Sequence, residues 1–210
     1  WKALGKGRRA IVSANDGELP GVSILKPLKG VDDRLLDNLE SFCRLDYPRY
    51  ELIFCAARPD DPVVPLVRRL MADHPWIDAR LMIGNERISE NPKLNNVFTG
   101  WRETAYPFVS ICDSNVLLPR DYVQSLFARF QPDTGLVCSP PIGCRPDGFW
   151  AETECAMLNS YQARWQYFAD FLGMGFAQGK TLFWRKRDLE NAGGIRMLGT
   201  ESAEDAACTK

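Results

Sequence analysis

From Val22 to Gly194 the chain alternates short apolar runs with segments whose apolar residues recur at helical spacing. That alternation limits the fold more than any other feature, because strand–helix–strand repeats pack as a mostly parallel sheet with helices on its faces. Residues 22–26 form a strand closed by Pro27 and Gly30. Leu35, Leu36, Leu39 and Phe42 then fall at i, i+1, i+4 and i+7, a helical stripe that Asp32 or Asp33 would cap. Residues 51–57 read as a second strand, 67–71 lie in a helix, and 79–83 form a third strand. The run 107–112 is too short for a helix and is broken by Asp113-Ser114-Asn115. Val123, Leu126, Phe127 and Phe130 mark another amphipathic helix, followed by a strand at 135–138 and a long aromatic-rich helix over 150–172. A strand at 181–184 and a short helix at 188–192, ended by Gly193-Gly194, complete the pattern. Ligands of such sheets bind beyond the carboxyl ends of the strands, so polar clusters just after strands are the candidates for function.

Composition removes several classes. The 26 basic residues against 27 acidic ones leave a formal charge of −1, without the basic excess of a general nucleic-acid binder. One histidine, His74, is too few for a zinc site built on two or three histidines. It lies in Asp73-His74-Pro75-Trp76, a turn with no nucleophile motif near it, so a catalytic triad is set aside. Seven cysteines form no C-x-x-C pair, and several sit in apolar runs, as in Ile53-Phe54-Cys55; buried, reduced thiols and a reducing compartment are expected. No apolar run approaches the ~18–20 residues of a membrane-spanning helix.

The first twenty residues are set apart by Lys2, Lys6, Arg8 and Arg9 and by the absence of periodicity. Two domains of unequal kind are expected: 1–20, a basic segment that either lies against anionic lipid or is an unfolded extension, and 21–210, one α/β domain. With neither an initiating methionine nor a signal peptide, the chain reads as a piece of something longer.

Asp60-Asp61, Asp113-Ser114-Asn115 and Glu204-Asp205 are the acidic clusters, and Asn91-Pro92-Lys93-Leu94-Asn95-Asn96 is the basic-polar one. Asp113 at a strand end suits a hard divalent cation shared with substrate phosphates. Lys93, a compact point charge, suits a diphosphate, and a separate aspartate suits proton abstraction from a hydroxyl. For Asp61 before Pro62 and for Asp121 the helix-capping role is favoured. Gly179-Lys180-Thr181 looks like the end of a P-loop, but Met174 stands where its first glycine belongs and a strand follows instead of a helix. Gln178 likewise spoils a dinucleotide fingerprint in the same stretch. Trp150, Tyr161, Trp165, Phe168 and Phe171 are denser than one core face needs; core packing is expected for several, with a wall for a lipid chain or a membrane-facing surface as the alternative.

In order along the chain, these clusters resemble one family. Val22-Ser23-Ile24-Leu25-Lys26-Pro27-Leu28-Lys29-Gly30-Val31-Asp32 is similar to the opening strand of ceramide glucosyltransferases and their bacterial relatives. Leu45-Asp46-Tyr47-Pro48, Asp60-Asp61-Pro62, Asn91-Pro92-Lys93-Leu94-Asn95-Asn96, Cys112-Asp113-Ser114, Ala192-Gly193-Gly194 and Ala203-Glu204-Asp205 continue the match, and Tyr161-Gln162-Ala163-Arg164-Trp165 points to the bacterial branch. The resemblance implies a GT-A glycosyltransferase fold, a Rossmann-like mostly parallel sheet flanked by helices. It implies an inverting transfer of glucose from UDP-glucose to the primary hydroxyl of ceramide or a similar membrane lipid, at the cytoplasmic face of the cell membrane. Asp205 would be the general base. Asp113, with Asn115, would hold Mg2+ or Mn2+, assisted by Lys93 at the diphosphate. Asp60 or Asp61 would read the uracil end near Pro27, and Glu204 would belong to the donor site.

Three departures stand against the family pattern. Arg58 occupies the place of an acid, Asn115 replaces the second acid of the metal motif, and the Gln-x-x-Arg-Trp motif expected after the general base is absent. Gln162-Ala163-Arg164-Trp165 is one residue short of that motif and precedes Asp205. The expected piece is therefore truncated at its C-terminal side, turns over poorly if at all, and reaches the membrane through segments outside this chain. Transfer of galactose or N-acetylglucosamine to diacylglycerol or a hopanoid, or a non-catalytic nucleotide-binding scaffold, are the alternatives.

Overall fold

The structure is a computed structural model that describes residues 19–201 and 203–209; the basic segment expected over 1–20 lies almost wholly outside them. Strands β1 (Val22–Leu28), β2 (Tyr50–Ala56), β3 (Ala79–Ile83), β4 (Phe108–Cys112), β5 (Leu136–Cys138) and β6 (Thr181–Arg185) form one sheet in the order β3-β2-β1-β4-β6-β5. The first four strands are mutually parallel, β6 runs antiparallel to β4, and β5 antiparallel to β6. The sheet is therefore mostly parallel and flanked by helices, as expected.

Helices α1 (Leu35–Cys43) and α2 (Val63–Asp73) carry the chain outward to β3, and α3 (Pro92–Arg102) returns it to the other side of β1. That reversal makes the β1–β4 boundary the topological switch point, where a crevice opens beyond the strand ends. The remaining helices are α4 (Tyr122–Phe127), α5 (Phe149–Met157), α6 (Ala163–Phe171), α7 (Lys186–Asn191) and α8 (Glu204–Thr209). One π-helical turn, Leu158–Gln162, joins α5 to α6.

Alternate residues of the central strands feed two cores, one on each face. Ile24, Leu52, Phe54 and Phe108 pack with α1, α2 and α4 on one face. Leu25, Ile53, Cys55, Val109 and Ile111 pack with Leu94, Val97 and Trp101 of α3 on the other. Gly100 lets α3 lie directly on the sheet: a Cβ there would meet Cys55 Sγ at 2.6 Å and Ile53 and Leu25 at 3.0 Å. All seven cysteines are free, and burial pushes the Cys55 thiol up to about 12, as an inert core thiol requires.

Four local expectations need correction. Neither Asp32 nor Asp33 caps α1; Arg34 takes the cap position in a left-handed conformation, and the Asp32 carbonyl accepts from Leu35 N–H. Leu36 leaves the stripe and is exposed, because i+1 turns away from the i, i+4, i+7 face. Asp121 occupies the cap position of α4 without a side-chain hydrogen bond. The aromatics of α5 and α6 do not enter the core: Trp150 and Phe171 are about four-fifths exposed, and Tyr161, Trp165 and Phe168 at least half exposed.

Candidate active site

Five segments meet at the switch point. Asp113 lies one residue past β4, with its backbone N–H on the Lys180 carbonyl at 3.1 Å. Its own carbonyl accepts from Lys26 Nζ of β1 at 2.5 Å. Lys26 is fully buried, its ammonium 3.7 Å from the centre of the Phe42 ring. Burial pulls its pKa down to about 7 against the opposing influence of Cys112 and Asp113.

Lys93 sits in the first turn of α3. Asn91 caps that helix, its Oδ1 accepting from Lys93 N–H at 2.9 Å with Pro92 just inside, the position proline tolerates best. The Lys93 ammonium meets Asp113 Oδ1 at 2.5 Å, Glu204 Oε1 at 2.5 Å and the Gly179 carbonyl at 3.0 Å, one acceptor for each of its protons. Burial alone would lower the Lys93 pKa, but the Asp113 and Glu204 carboxylates outweigh it and hold it above the usual lysine value. Burial likewise opposes ionisation of Glu204, and the Lys93 charge overrides it, keeping that carboxyl below its usual range. The second Glu204 oxygen accepts from Asn91 Nδ2 at 2.8 Å.

Asp205 follows at the start of α8, with Oδ2 accepting from Gly179 N–H at 3.0 Å. A Cβ at Gly179 would lie 2.9 Å from Glu204 Oε1, so a larger residue there would push on the carboxylate that Lys93 holds. The next residue, Lys180, places its ammonium 2.9 Å from Asn115 Oδ1 and 3.5 Å from Asp113 Oδ2.

Lys93, Asp113, Asn115, Glu204 and Asp205 are thus brought together from across the chain. Asp60 and Asp61 are not joined to them. Asp60 is exposed and paired with Arg58, Nε to Oδ1 at 2.8 Å. Asp61 accepts from Gly30 N–H at 3.0 Å and Val63 N–H at 2.9 Å, tying the loop after β1 to the start of α2, in line with the capping role. Pro27 lies within β1, beside Cys55 of β2. Sequence reasoning passed over Lys26 and Lys180. Position 180 carried a signal, a Gly-Lys pair immediately before an apolar run.

A cleft of about 660 Å³ opens beside this cluster between α4, β5, α6 and α8, lined by Tyr122, Cys138, Gln166, Asp170, Ala177 and Thr209 among others. Among the described residues, no three histidine, cysteine or carboxylate groups come together as a metal-holding set. The oxygens of Asp113 and Asn115 nevertheless already face one cationic group, the Lys180 ammonium, which stands in for an ion. Two hard oxygen donors completed by phosphate and water fit Mg2+ or Mn2+, which seldom take an all-protein cage.

A sheet with this strand order, its polar cluster at the switch point, is the GT-A glycosyltransferase fold. A mannosyltransferase from Pyrobaculum calidifontis, solved with GDP-Man and Mn2+, superposes with a TM-score of 0.61 at 20% identity, covering 96% of this chain and 54% of that one. TarS from S. aureus does so with a TM-score of 0.59 at 12% identity, over 90% and 54% of the two chains. In sequence, the profile of glycosyl transferase family 21 matches residues 3–210, and the chain belongs to that family. Ceramide glucosyltransferase 3 of Caenorhabditis elegans is 33% identical over 192 residues, covering 90% of this chain and 42% of that protein. The ceramide glucosyltransferase of Candida albicans is 37% identical over 109 residues, 46% of this chain and 20% of that protein. The chain therefore spans less than half the length of these relatives.

Proposed function

We infer that this chain is the donor-binding and catalytic part of an inverting glycosyltransferase that moves glucose from UDP-glucose to the primary hydroxyl of ceramide or a similar membrane lipid. The observation that carries this reading is the Lys93–Asp113–Glu204 cluster at the switch point, with Asp205 held against Gly179 beside it. The 33% identity to a ceramide glucosyltransferase supports the choice of glucose and ceramide.

The chemistry is a single displacement. An acceptor hydroxyl oxygen attacks the anomeric carbon as the bond to the diphosphate breaks, and UDP leaves with the bonding pair. Asp205 takes the hydroxyl proton, its carboxylate aimed by the Gly179 and Ala206 N–H groups. Lys93 offers charge to the leaving diphosphate, while Glu204 and Asn91 hold that ammonium in place. Asp113 and Asn115 would hold a divalent cation, which when bound supplies further charge neutralisation at the diphosphate. Asp60 or Asp61, ahead of α2, would read the uracil end near Pro27 of β1; Asp61 is the one tied to the loop after β1, through Gly30 N–H.

The lipid would lie along the exposed aromatic face of α5 and α6, of which α6 lines the cleft through Gln166, Tyr167 and Asp170. Among the described residues no helix is long and apolar enough to cross a membrane. The free cysteines suit the cytoplasmic face of the membrane.

Calorimetric titration with UDP-glucose, with and without Mn2+, tests donor and metal together; saturable binding strengthened by Mn2+ is expected, and no binding in either condition would end the reading. Asp205→Asn should retain that binding and, in the full-length protein, lower transfer to ceramide by about 10²–10⁴-fold, the usual weight of a general base.

A further inference from the structure

Lys180, like Lys26, has no part in the displacement, but unlike Lys26 it meets side-chain oxygens of Asp113 and Asn115. Its ammonium bridges the carboxylate of Asp113 (3.5 Å) and the amide oxygen of Asn115 (2.9 Å), the two oxygens best placed for a divalent cation. Asn115 is exposed and Lys180 is half-buried, so the pairing is open to solvent and exchangeable. The other Asp113 oxygen already belongs to Lys93, at 2.5 Å. A cation entering here must displace one ammonium, and Lys180 is the easier to move. Lys93 is anchored by three acceptors, Lys180 by two and at longer range.

We propose that Lys180 is a tethered counter-ion that competes with a divalent cation for Asp113 and Asn115 and turns to the diphosphate when the donor binds. It rests on the nucleotide-sugar reading given above. Asn115 offers an amide oxygen that carries no charge, and the Lys180 ammonium offsets the Asp113 carboxylate. In the free chain the cation then meets an almost neutralised pair of oxygens and binds weakly. A diphosphate changes the balance: it offers Lys180 a doubly charged partner, releases Asp113 and Asn115, and adds its own oxygens to the cation's shell. Metal and nucleotide binding are thus positively coupled through one side chain, as any ligand pair must be when each favours the same rearranged state.

Lys180→Met, which keeps the stem and removes the charge, separates this role from a structural one because its two effects have opposite signs. Mn2+ titrated into the 210-residue chain without nucleotide, followed by electron paramagnetic resonance of the free ion, should bind the variant about tenfold more tightly than the wild type. UDP titrated in the presence of a chelator should bind the variant about tenfold more weakly. Adding Asp113→Asn to Lys180→Met should abolish the gain in Mn2+ affinity, which places the gain at this site. A variant that weakens both ligands, changes neither, or gains Mn2+ affinity independently of Asp113 overturns the proposal. Wild-type chain that binds UDP under no condition overturns the nucleotide-sugar reading as well, and is told apart because the fault then appears before any substitution.

Discussion

Lys26 and Lys93 show how one residue type takes two electrostatic states a few ångströms apart. Lys93 has carboxylates at two of its three acceptors and stays charged, whereas Lys26 has a carbonyl and an aromatic face and is pulled to a pKa of about 7 by burial. Between that value and the unfolded 10.5 the unfolded chain binds one proton more than the folded one, so this group makes stability rise as pH rises. Lys26→Met removes the titration. The stability of wild type minus that of the variant should climb from pH 7 to 10 by up to about 1.4 kcal/mol per unit, read by urea unfolding at a series of pH values. A flat difference would mean that Lys26 titrates as an ordinary lysine. Asp113, Lys93, Glu204 and Asp205 were legible in the sequence because each lies in a polar cluster beside an apolar run and the family resemblance ordered them. Lys26 was not, since a lysine ending a strand reads like any snorkelling surface residue until the ring of Phe42 covers it. Lys180 was weighed for chemistry against a P-loop, and rejecting that motif left the residue without a role.

Strands were the easier elements to read. The third strand was read at its observed bounds, Ala79–Ile83, and the others shifted by one or two residues, because continuous apolar runs bounded by Pro, Gly and Asp leave little choice of register. α3 was missed although it carries Lys93: its buried face mixes Asn95, Asn96 and Gly100 with Leu94, Val97 and Trp101, so the apolar stripe is interrupted. Both amides serve the fold. Asn95 Oδ1 accepts from the Ile88 and Ser89 N–H groups, and Asn96 Nδ2 donates to the Leu28 carbonyl at 3.1 Å, holding the loop before α3 and the end of β1 in place. The close approach of α3 to the sheet depends on Gly100, so Gly100→Ala should destabilise the chain by about 1–3 kcal/mol through overpacking against Cys55, Ile53 and Leu25. Thermal unfolding would measure the loss, and donor affinity should fall with it as Lys93 is carried away from Asp113. An unchanged melting temperature would show that the helix has room to shift.

For the molecule as a whole, the asymmetry lies in what each side presents. The sheet is covered on both faces by apolar cores, yet the α5–α6 segment turns Phe149, Trp150, Trp165, Phe168 and Phe171 outward. Aromatic density alone was read as partly core because periodicity says which residues share a helical stripe and is silent on whether anything packs against it. Replacing Trp165, Phe168 and Phe171 by Ser should reduce flotation of the chain with phospholipid vesicles on the order of tenfold or more, while UDP affinity stays unchanged. Equal flotation of the two chains would remove lipid as the partner of this face. The antiparallel β6 has a further consequence. Because it runs against β4, its first residues rather than its last reach the crevice, with Thr181 opposite Cys112. A nascent chain therefore displays Lys93 and Asp113 long before the ribosome has delivered Lys180 and Glu204. Copies synthesised only as far as β4 hold an incomplete charge constellation, and the Lys93–Glu204 pair closes only once residue 204 has been made.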